Sequence, residues 1–91
     1  MGSKARHRPE RLADKLSRIR LALGLSQSEL VRRLELDDVI SYKKISDYER
    51  GQREPTLLII LRYARVANVS TDVLIDDELD LPEQLPARRR R

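Results

Sequence analysis

Apolar residues recur at three- and four-residue spacing along most of the chain, which is the spacing of one face of an α-helix. Residues 9–24 show this pattern first, with Pro9 suited to a first helical turn and Gly24 to a helix end. The next segment, LSQSELVRRL, opens with Ser26 and has Glu29 three residues later, the pattern of a capping box. Both segments are predicted to be amphipathic helices.

A third helix is predicted after the irregular segment ELDDVI. Ser41 is a candidate N-cap for a helix that runs to about Glu49, and Gly51 is suited to ending it. Ile45 and Tyr48 are spaced so that both side chains face the core. The rest of this helix is polar, so it is anchored by few apolar residues.

Two more helices follow Pro55. Thr56 is a candidate N-cap for TLLIILRYARVA, and Asn68 suits a left-handed helix end. Ser70 or Thr71 then begins a short fifth helix. The fourth helix is expected to bury Leu57, Ile60, Leu61 and Ala64.

The chain is predicted to form one all-α domain with a polar segment at each end. Its 91 residues suffice for a single core. Residues 1–8 are predicted to be a flexible basic arm, residues 9–78 a five-helix domain, and residues 79–91 a tail, because the last segment contains two prolines and an arginine run.

Composition excludes several classes of function. The chain has no cysteine, so neither a disulfide nor a thiolate metal site can form. Its one histidine, His7, lies in the polar arm, and no serine or aspartate has a general base beside it, so neither an enzyme, a cofactor nor a metal is expected. No apolar run approaches the roughly 18 residues of a membrane span. We therefore expect a soluble intracellular protein.

The distribution of charge is more informative than its sum. The 19 basic and 15 acidic residues give a net charge of +4, and Arg88 to Arg91 account for all of it. Residues 4–20 contain seven basic side chains, whereas residues 72–83 contain six acidic ones and no basic one. We expect a positive end and a negative end, with an anion bound along the positive face.

Four short motifs occur in a fixed order: LSQ at the second helix, ERG at the end of the third, the proline that follows, and VS before the fifth. Together they resemble the lambda-repressor-like (XRE/Cro-type) helix-turn-helix family, over about residues 12–75. The resemblance implies a five-helix domain that binds double-stranded DNA. It also implies that the helix at about 41–49 is the recognition helix, which lies in the major groove.

The resemblance places Tyr42 and Lys43 at the principal base-reading positions, with Lys44 beside them and Asp47 one turn later. Lysine can donate to guanine O6 and N7, and aspartate can accept from cytosine N4, which would favour a half-site that contains G·C pairs. The alternative is that Tyr42 only shields the turn and Asp47 only pairs locally.

Phosphate contacts are implied on both sides of the recognition helix. Gln27 matches a position that binds a phosphate and braces that helix, and such contacts fix the register of the protein on DNA without reading its sequence. The resemblance also pairs Arg20 with Glu49 as a structural ion pair. The predicted phosphate contacts are Ser26, Gln27, Ser28, Ser41, Arg50, Gln52 and Arg53.

The chain departs from the family pattern in two places. The segment before the recognition helix is about four residues longer than usual, with Glu35 in place of a glycine and two aspartates that we expect to point away from DNA. In the fourth helix, Leu58 and Ile59 stand where the family tends to be polar. With Val73 they form a candidate surface for a second copy, for the tail or for another protein. The alternative is ordinary packing against the fifth helix, through Val73 and Ile75.

The resemblance favours a sequence-specific DNA-binding transcriptional regulator, a homodimer in the cytoplasm of a bacterium or of a phage-infected cell, associated with the nucleoid. The alternative is a protein-interaction module, either the antitoxin of a toxin–antitoxin pair or an accessory factor that retains the fold. In that case the partner would bind through the fourth helix or the tail.

Overall fold

The computed structural model describes residues 8–86, which fold into five α-helices with no strand among them. The prediction of an all-α five-helix domain is confirmed. Most of the predicted arm and the last five residues of the predicted tail lie outside the described residues. None of the helices described is long and apolar enough to cross a membrane. The helices are α1 (Leu12–Leu23), α2 (Gln27–Arg33), α3 (Tyr42–Glu49), α4 (Leu57–Ala67) and α5 (Thr71–Ile75).

Local side chains form most helix ends where the sequence predicted them. The Glu29 N–H donates to Ser26 Oγ at 3.0 Å and the Ser26 N–H donates to Glu29 Oε1 at 2.8 Å, which completes the capping box. The hydroxyl of Thr56 accepts a backbone N–H at the start of α4. Gly24 and Asn68 both have the left-handed conformation that ends α1 and α4. These ends are predictable because each depends on residues within one helical turn.

The core contains residues from all five helices, but the buried face of α4 differs from the prediction. Leu57 is 84% exposed and Leu61 is only half-buried, whereas Ile59 is 6% exposed. The run LLIIL contains no polar residue to mark which side faces water, so its pattern alone could not define the buried face. The buried residues of α4 are Ile59, Ile60, Tyr63, Ala64 and Ala67.

The connection between α2 and α3 is an ordered turn. Glu35 has φ 61°, so it adopts the left-handed conformation of the glycine that it replaces, at a cost of about 1–2 kcal/mol. Leu36 is buried, and its carbonyl accepts the Ile40 N–H at 2.9 Å. From α4, Arg62 Nη1 donates to the carbonyls of Leu34 at 2.6 Å and Glu35 at 3.3 Å. The additional residues therefore leave α2 and α3 joined through the core.

Residues 76–86, here called the C-terminal strap, lie against α1. The backbone N–H groups of Glu10 and Arg11 donate to the two carboxylate oxygens of Asp77, at 2.9 and 3.1 Å. Asp77 therefore holds the backbone immediately before α1, from a position 66 residues after Arg11 in the chain. The Arg11 guanidinium donates to the Asp77 carbonyl at 2.7 Å and to the carboxylate of Asp80.

Lys15 joins α1 to the end of α5. Its side chain is fully buried, and Nζ donates to the carbonyls of Val73 at 2.7 Å and Asp76 at 3.0 Å. Burial lowers the pKa of Lys15, and the neighbouring Arg11 charge lowers it further. The expectation of a positive end and a separate negative end was therefore wrong. The strap returns to the start of α1, where Asp80 pairs with Arg11 and two backbone carbonyls bind Lys15.

The strap also contributes to the core. Leu81 is buried and Leu85 packs partly against the buried cluster. Residues 79–86, predicted to belong to a tail, therefore pack against the helices. The apolar side chains of LDLPEQLP explain this, because two of its leucines find a core surface to cover.

We expect Leu81→Ala to lower the free energy of unfolding by about 2–3 kcal/mol, because truncating a buried leucine loses its burial and leaves a cavity. Urea denaturation followed by circular dichroism measures the change. Leu79→Ala is the matched control, since Leu79 lies in the same strap and is 40% exposed. Equal effects of the two substitutions would show that the strap does not pack as described.

We expect the strap to weaken in acid. Hydrogen bonds from the backbone N–H groups of Glu10 and Arg11 hold the pKa of Asp77 below its ordinary value of 3.8, and the Arg11 side chain does the same for Asp80. A carboxylate whose pKa is lowered by folding stabilises the fold above its unfolded pKa, and the contribution is lost as the pH falls through its folded pKa. Stability should therefore decline below about pH 4.

Urea denaturation of the wild type and of an Asp77→Asn/Asp80→Asn variant, each at about pH 5 and about pH 2.5, measures this effect. The double variant should be less stable than the wild type at the higher pH and show a smaller decline on acidification. Asp72→Asn, at an exposed carboxylate for which the described chain offers no ion pair, should leave the pH dependence unchanged. A decline as large in the double variant as in the wild type would contradict the assignment.

Candidate nucleic-acid interface

The N-terminal part of α3 presents polar side chains above an apolar anchor. Ile45 and Tyr48 are buried and fix the inner side of the helix, while Tyr42 and Lys43 are exposed and Lys44 is half-buried. Within residues 8–86 neither lysine side chain has an acidic partner. Two positive charges therefore remain available at the exposed start of this helix.

Ser41 begins α3. Its hydroxyl accepts the Lys43 N–H at 3.2 Å, and its carbonyl accepts the Lys44 N–H at 3.0 Å. The hydroxyl proton remains free to donate to an anion, as the predicted phosphate contact requires. The cap also fixes where the helix starts, and therefore which residues occupy its first turn.

The start of α2 offers fewer donors than the sequence predicted. The Ser26 N–H and hydroxyl oxygen are both occupied in the capping box with Glu29. Accepting that N–H lowers the pKa of Glu29, which places a carboxylate charge at this helix end. The Ser26 N–H is thus used within the cap, but the Ser26 hydroxyl proton remains free to donate to a phosphate, as at Ser41. Beside it, Ser28 is exposed and Gln27 is half-buried.

An ion pair joins three helices behind the interface. Arg20 of α1 donates from Nε and Nη2 to the two carboxylate oxygens of Glu49 in α3, at 2.7 and 3.0 Å. Gln27 of α2 donates from Nε2 to the same carboxylate at 3.3 Å. The guanidinium also donates to the Leu25 carbonyl, just before α2. Gln27 is thus held against the end of α3, where a bracing residue would lie.

Arginines follow the other end of α3, and Asp47 lies between them. Arg50 Nη2 donates to Asp47 Oδ1 at 2.9 Å, and Arg53 Nε is 3.7 Å from Asp47 Oδ2. Gln52 is exposed in the same loop. The sequence predicted a base contact for Asp47 and phosphate contacts for both arginines. The structure brings these three charged groups together in one cluster.

The candidate partner surface is smaller than predicted on one side and larger on the other. Of the three predicted residues, Leu58 is 67% exposed, Val73 is only partly exposed, and Ile59 is buried in the core. Ile59 therefore cannot contact a partner, because its side chain packs inside the domain. Leu57, which the sequence assigned to the core, is exposed beside Leu58. The run LLIIL has no polar residue that would have marked this side of α4 as exposed.

The comparisons with known proteins agree with this architecture. A family model described as helix-turn-helix matches residues 16–74. No curated protein gives a significant match. A solved structure of the P22 c2 repressor protein in complex with synthetic operator 9T in the presence of Tl⁺ is similar in fold, with a TM-score of 0.63 and 23% sequence identity. The match covers 72% of this chain and 94% of that chain.

The family model covers all of the segment from Leu16 in α1 to Leu74 in α5, which includes α2, the connecting turn and α3. At 23% identity the likeness to the solved structure shows the fold, which is the same five-helix arrangement. The chain belongs to the helix-turn-helix family, in its lambda-repressor-like (XRE) branch.

Proposed function

We propose that this protein is a sequence-specific regulator of transcription that binds double-stranded DNA through α3. The observation that carries the proposal is the exposed first turn of α3, where Lys43 and Lys44 have no acidic partner in the described chain and Tyr42 is exposed beside them. In the helix-turn-helix fold this part of the second helix of the motif meets base edges in the major groove.

Lysine side chains there would donate to guanine O6 and N7, and the Tyr42 ring would contact an apolar base edge such as a thymine methyl group. A buried inner side supports this role, because Ile45 and Tyr48 hold the helix while its polar groups face outward. The similar P22 repressor structure contains an operator, which supports double-stranded DNA as the partner.

Phosphate contacts would flank the base-reading turn. Gln27 and Ser28 lie at the start of α2, and Arg50, Gln52 and Arg53 follow the other end of α3. Contacts at both ends of a helix fix its register in the groove, so that the same side chains meet the same base pairs. Ser41 adds a hydroxyl at the N-cap of α3.

We further propose that the protein binds its operator as a homodimer. Leu57 and Leu58 form an exposed pair of adjacent apolar side chains at the start of α4. A two-fold dimer would place two copies of α3 about 34 Å apart, in successive major-groove faces of an inverted repeat. Cytoplasmic location and association with the nucleoid follow from this function.

The same leucine pair carries the second candidate function. In a protein-interaction module, such as an antitoxin or an accessory factor, Leu57 and Leu58 would meet a different protein and α3 would not select a DNA sequence. For a regulator, substitutions in α3 abolish a preference for one DNA sequence. For an interaction module there is no such preference to lose.

We expect selection from genomic fragments to enrich a short inverted repeat, with at least ~10³-fold preference over scrambled DNA and a steep dependence on salt. Lys43→Ala/Lys44→Ala should reduce that preference at least tenfold, since a base contact contributes roughly 1–3 kcal/mol of discrimination. Fluorescence anisotropy with both duplexes measures the preference.

Arg33→Ala/Arg65→Ala is the matched control for the lysine pair, because it removes the same charge from exposed positions that share a shallow hollow away from α3. It should weaken binding to both duplexes little and leave the preference intact. Weak binding of the wild type that is the same for every sequence would reject a sequence-specific regulator.

We expect Leu57→Ser/Leu58→Ser to lower the dimer fraction in sedimentation equilibrium and to weaken binding to the inverted repeat more than to a half-site. Stability should change little, because both side chains are exposed. Leu21→Ser, at an exposed leucine of α1, is the control and should leave the dimer unchanged. A wild type that is monomeric on the inverted repeat would contradict the homodimer.

A further inference from the structure

Asp47 is an unusual residue at its position in α3. It lies in the C-terminal half of the helix, where a negative charge opposes the helix dipole instead of stabilising it. Its side chain is 29% exposed, against 57% for Arg50 and 56% for Arg53. The carboxylate is thus less accessible than the two guanidinium groups, and each of its oxygens faces one of them.

Resting on the proposed function, we propose that Asp47 competes with DNA phosphate for Arg50 and Arg53 and thereby lowers the affinity for DNA of arbitrary sequence. A carboxylate and a phosphate oxygen are equivalent acceptors for a guanidinium. Asp47 therefore occupies, within the same chain, the anion site that the two arginines would offer to a DNA backbone.

Two opposite effects of Asp47 have to be weighed. The carboxylate orients the arginines, which would help binding, but it also repels every phosphate that approaches them. Ion pairs between exposed side chains contribute little free energy, and Arg50 is already oriented by the contact of its Nε with the Ser46 carbonyl at 3.4 Å. The repulsion acts on all phosphates near either guanidinium, so it is the larger effect.

Sequence-independent binding is the property that this repulsion controls. Binding to arbitrary DNA depends almost entirely on the positive charge that meets phosphates. Within the described chain the two arginines beside α3 share one carboxylate, so the cluster carries a charge of +1 instead of +2. Lys43 and Lys44 form no ion pair with Asp47 in the described chain, so the first turn of α3 keeps its own two positive charges. Asp47 would therefore raise the preference for a specific sequence by lowering the affinity for all other DNA, without contacting a base.

The test is Asp47→Asn, with binding to a labelled duplex of random sequence measured by fluorescence anisotropy between about 50 and 200 mM salt. The affinity should rise about fivefold at the lowest salt, and the slope of log K against log salt should steepen by about 0.9, the value for one more phosphate neutralised. Unchanged or weaker binding by the variant, or no binding by it at all, would overturn the proposal.

Two controls separate competition from a general change of charge. Asp72→Asn removes an exposed carboxylate of α5 and changes the net charge equally, but it should change the affinity less than twofold. In an Arg50→Gln/Arg53→Gln background, Asp47→Asn should have no larger effect than Asp72→Asn, because there is no guanidinium to release. An undiminished effect in that background would also overturn the proposal. Thermal unfolding confirms that each variant is folded.

The measurement separates this proposal from the proposed function. Competition is assayed on random DNA alone, so a protein that selects no operator can still show it. Conversely, a protein that selects an operator can be unaffected by Asp47→Asn on random DNA. A base contact by Asp47 would show itself differently, as a changed preference at one base pair without a changed salt slope.

Discussion

The ion pair between Arg20 and Glu49 is the interaction on which the position of α3 depends. α3 is only eight residues long and has two buried apolar side chains, too few to fix its orientation alone. The bidentate contact ties its last turn to α1, and Gln27 extends the contact to α2. Removing either charge would leave its partner largely buried and unpaired, at a cost of roughly 3 kcal/mol. The proposed DNA contacts at both ends of α3 are therefore held by one carboxylate.

The turn between α2 and α3 is about four residues longer than the family pattern, yet the two helices still pack against each other. Leu36 enters the core immediately after Glu35 reverses the chain, and Arg62 of α4 donates to the carbonyls at the end of α2. The strain at Glu35 is offset by these contacts with the rest of the domain. The additional residues consequently form a surface turn before Ser41, and α3 begins at its predicted cap.

Structural features that depend on residues within one helical turn could be predicted from the sequence. Contacts between segments far apart in the chain mostly could not. The caps at Ser26, Ser41 and Thr56 and the left-handed ends at Gly24 and Asn68 follow from local chemistry. The family pattern also paired Arg20 with Glu49 across 29 residues. By contrast, nothing local indicates that Asp77 binds the backbone just before α1, that Arg62 binds the end of α2, or that Leu81 reaches the core. The order of charges along the chain likewise does not show which of them neutralise each other.

That neutralisation decides which basic residues remain for an anionic partner. Four of the five basic side chains in residues 8–20 have partners inside the fold: Arg11 with Asp80, Lys15 with two carbonyls, Arg18 with Asp14, and Arg20 with Glu49. Of the three lysines in the described chain, only the adjacent pair in the first turn of α3 has side chains without such partners. A protein whose net charge without the last four arginines is zero can thus still present positive charge at one helix end. The positive charge that this helix end offers to an anionic partner depends as much on where the acidic residues pair as on how many basic residues the chain contains.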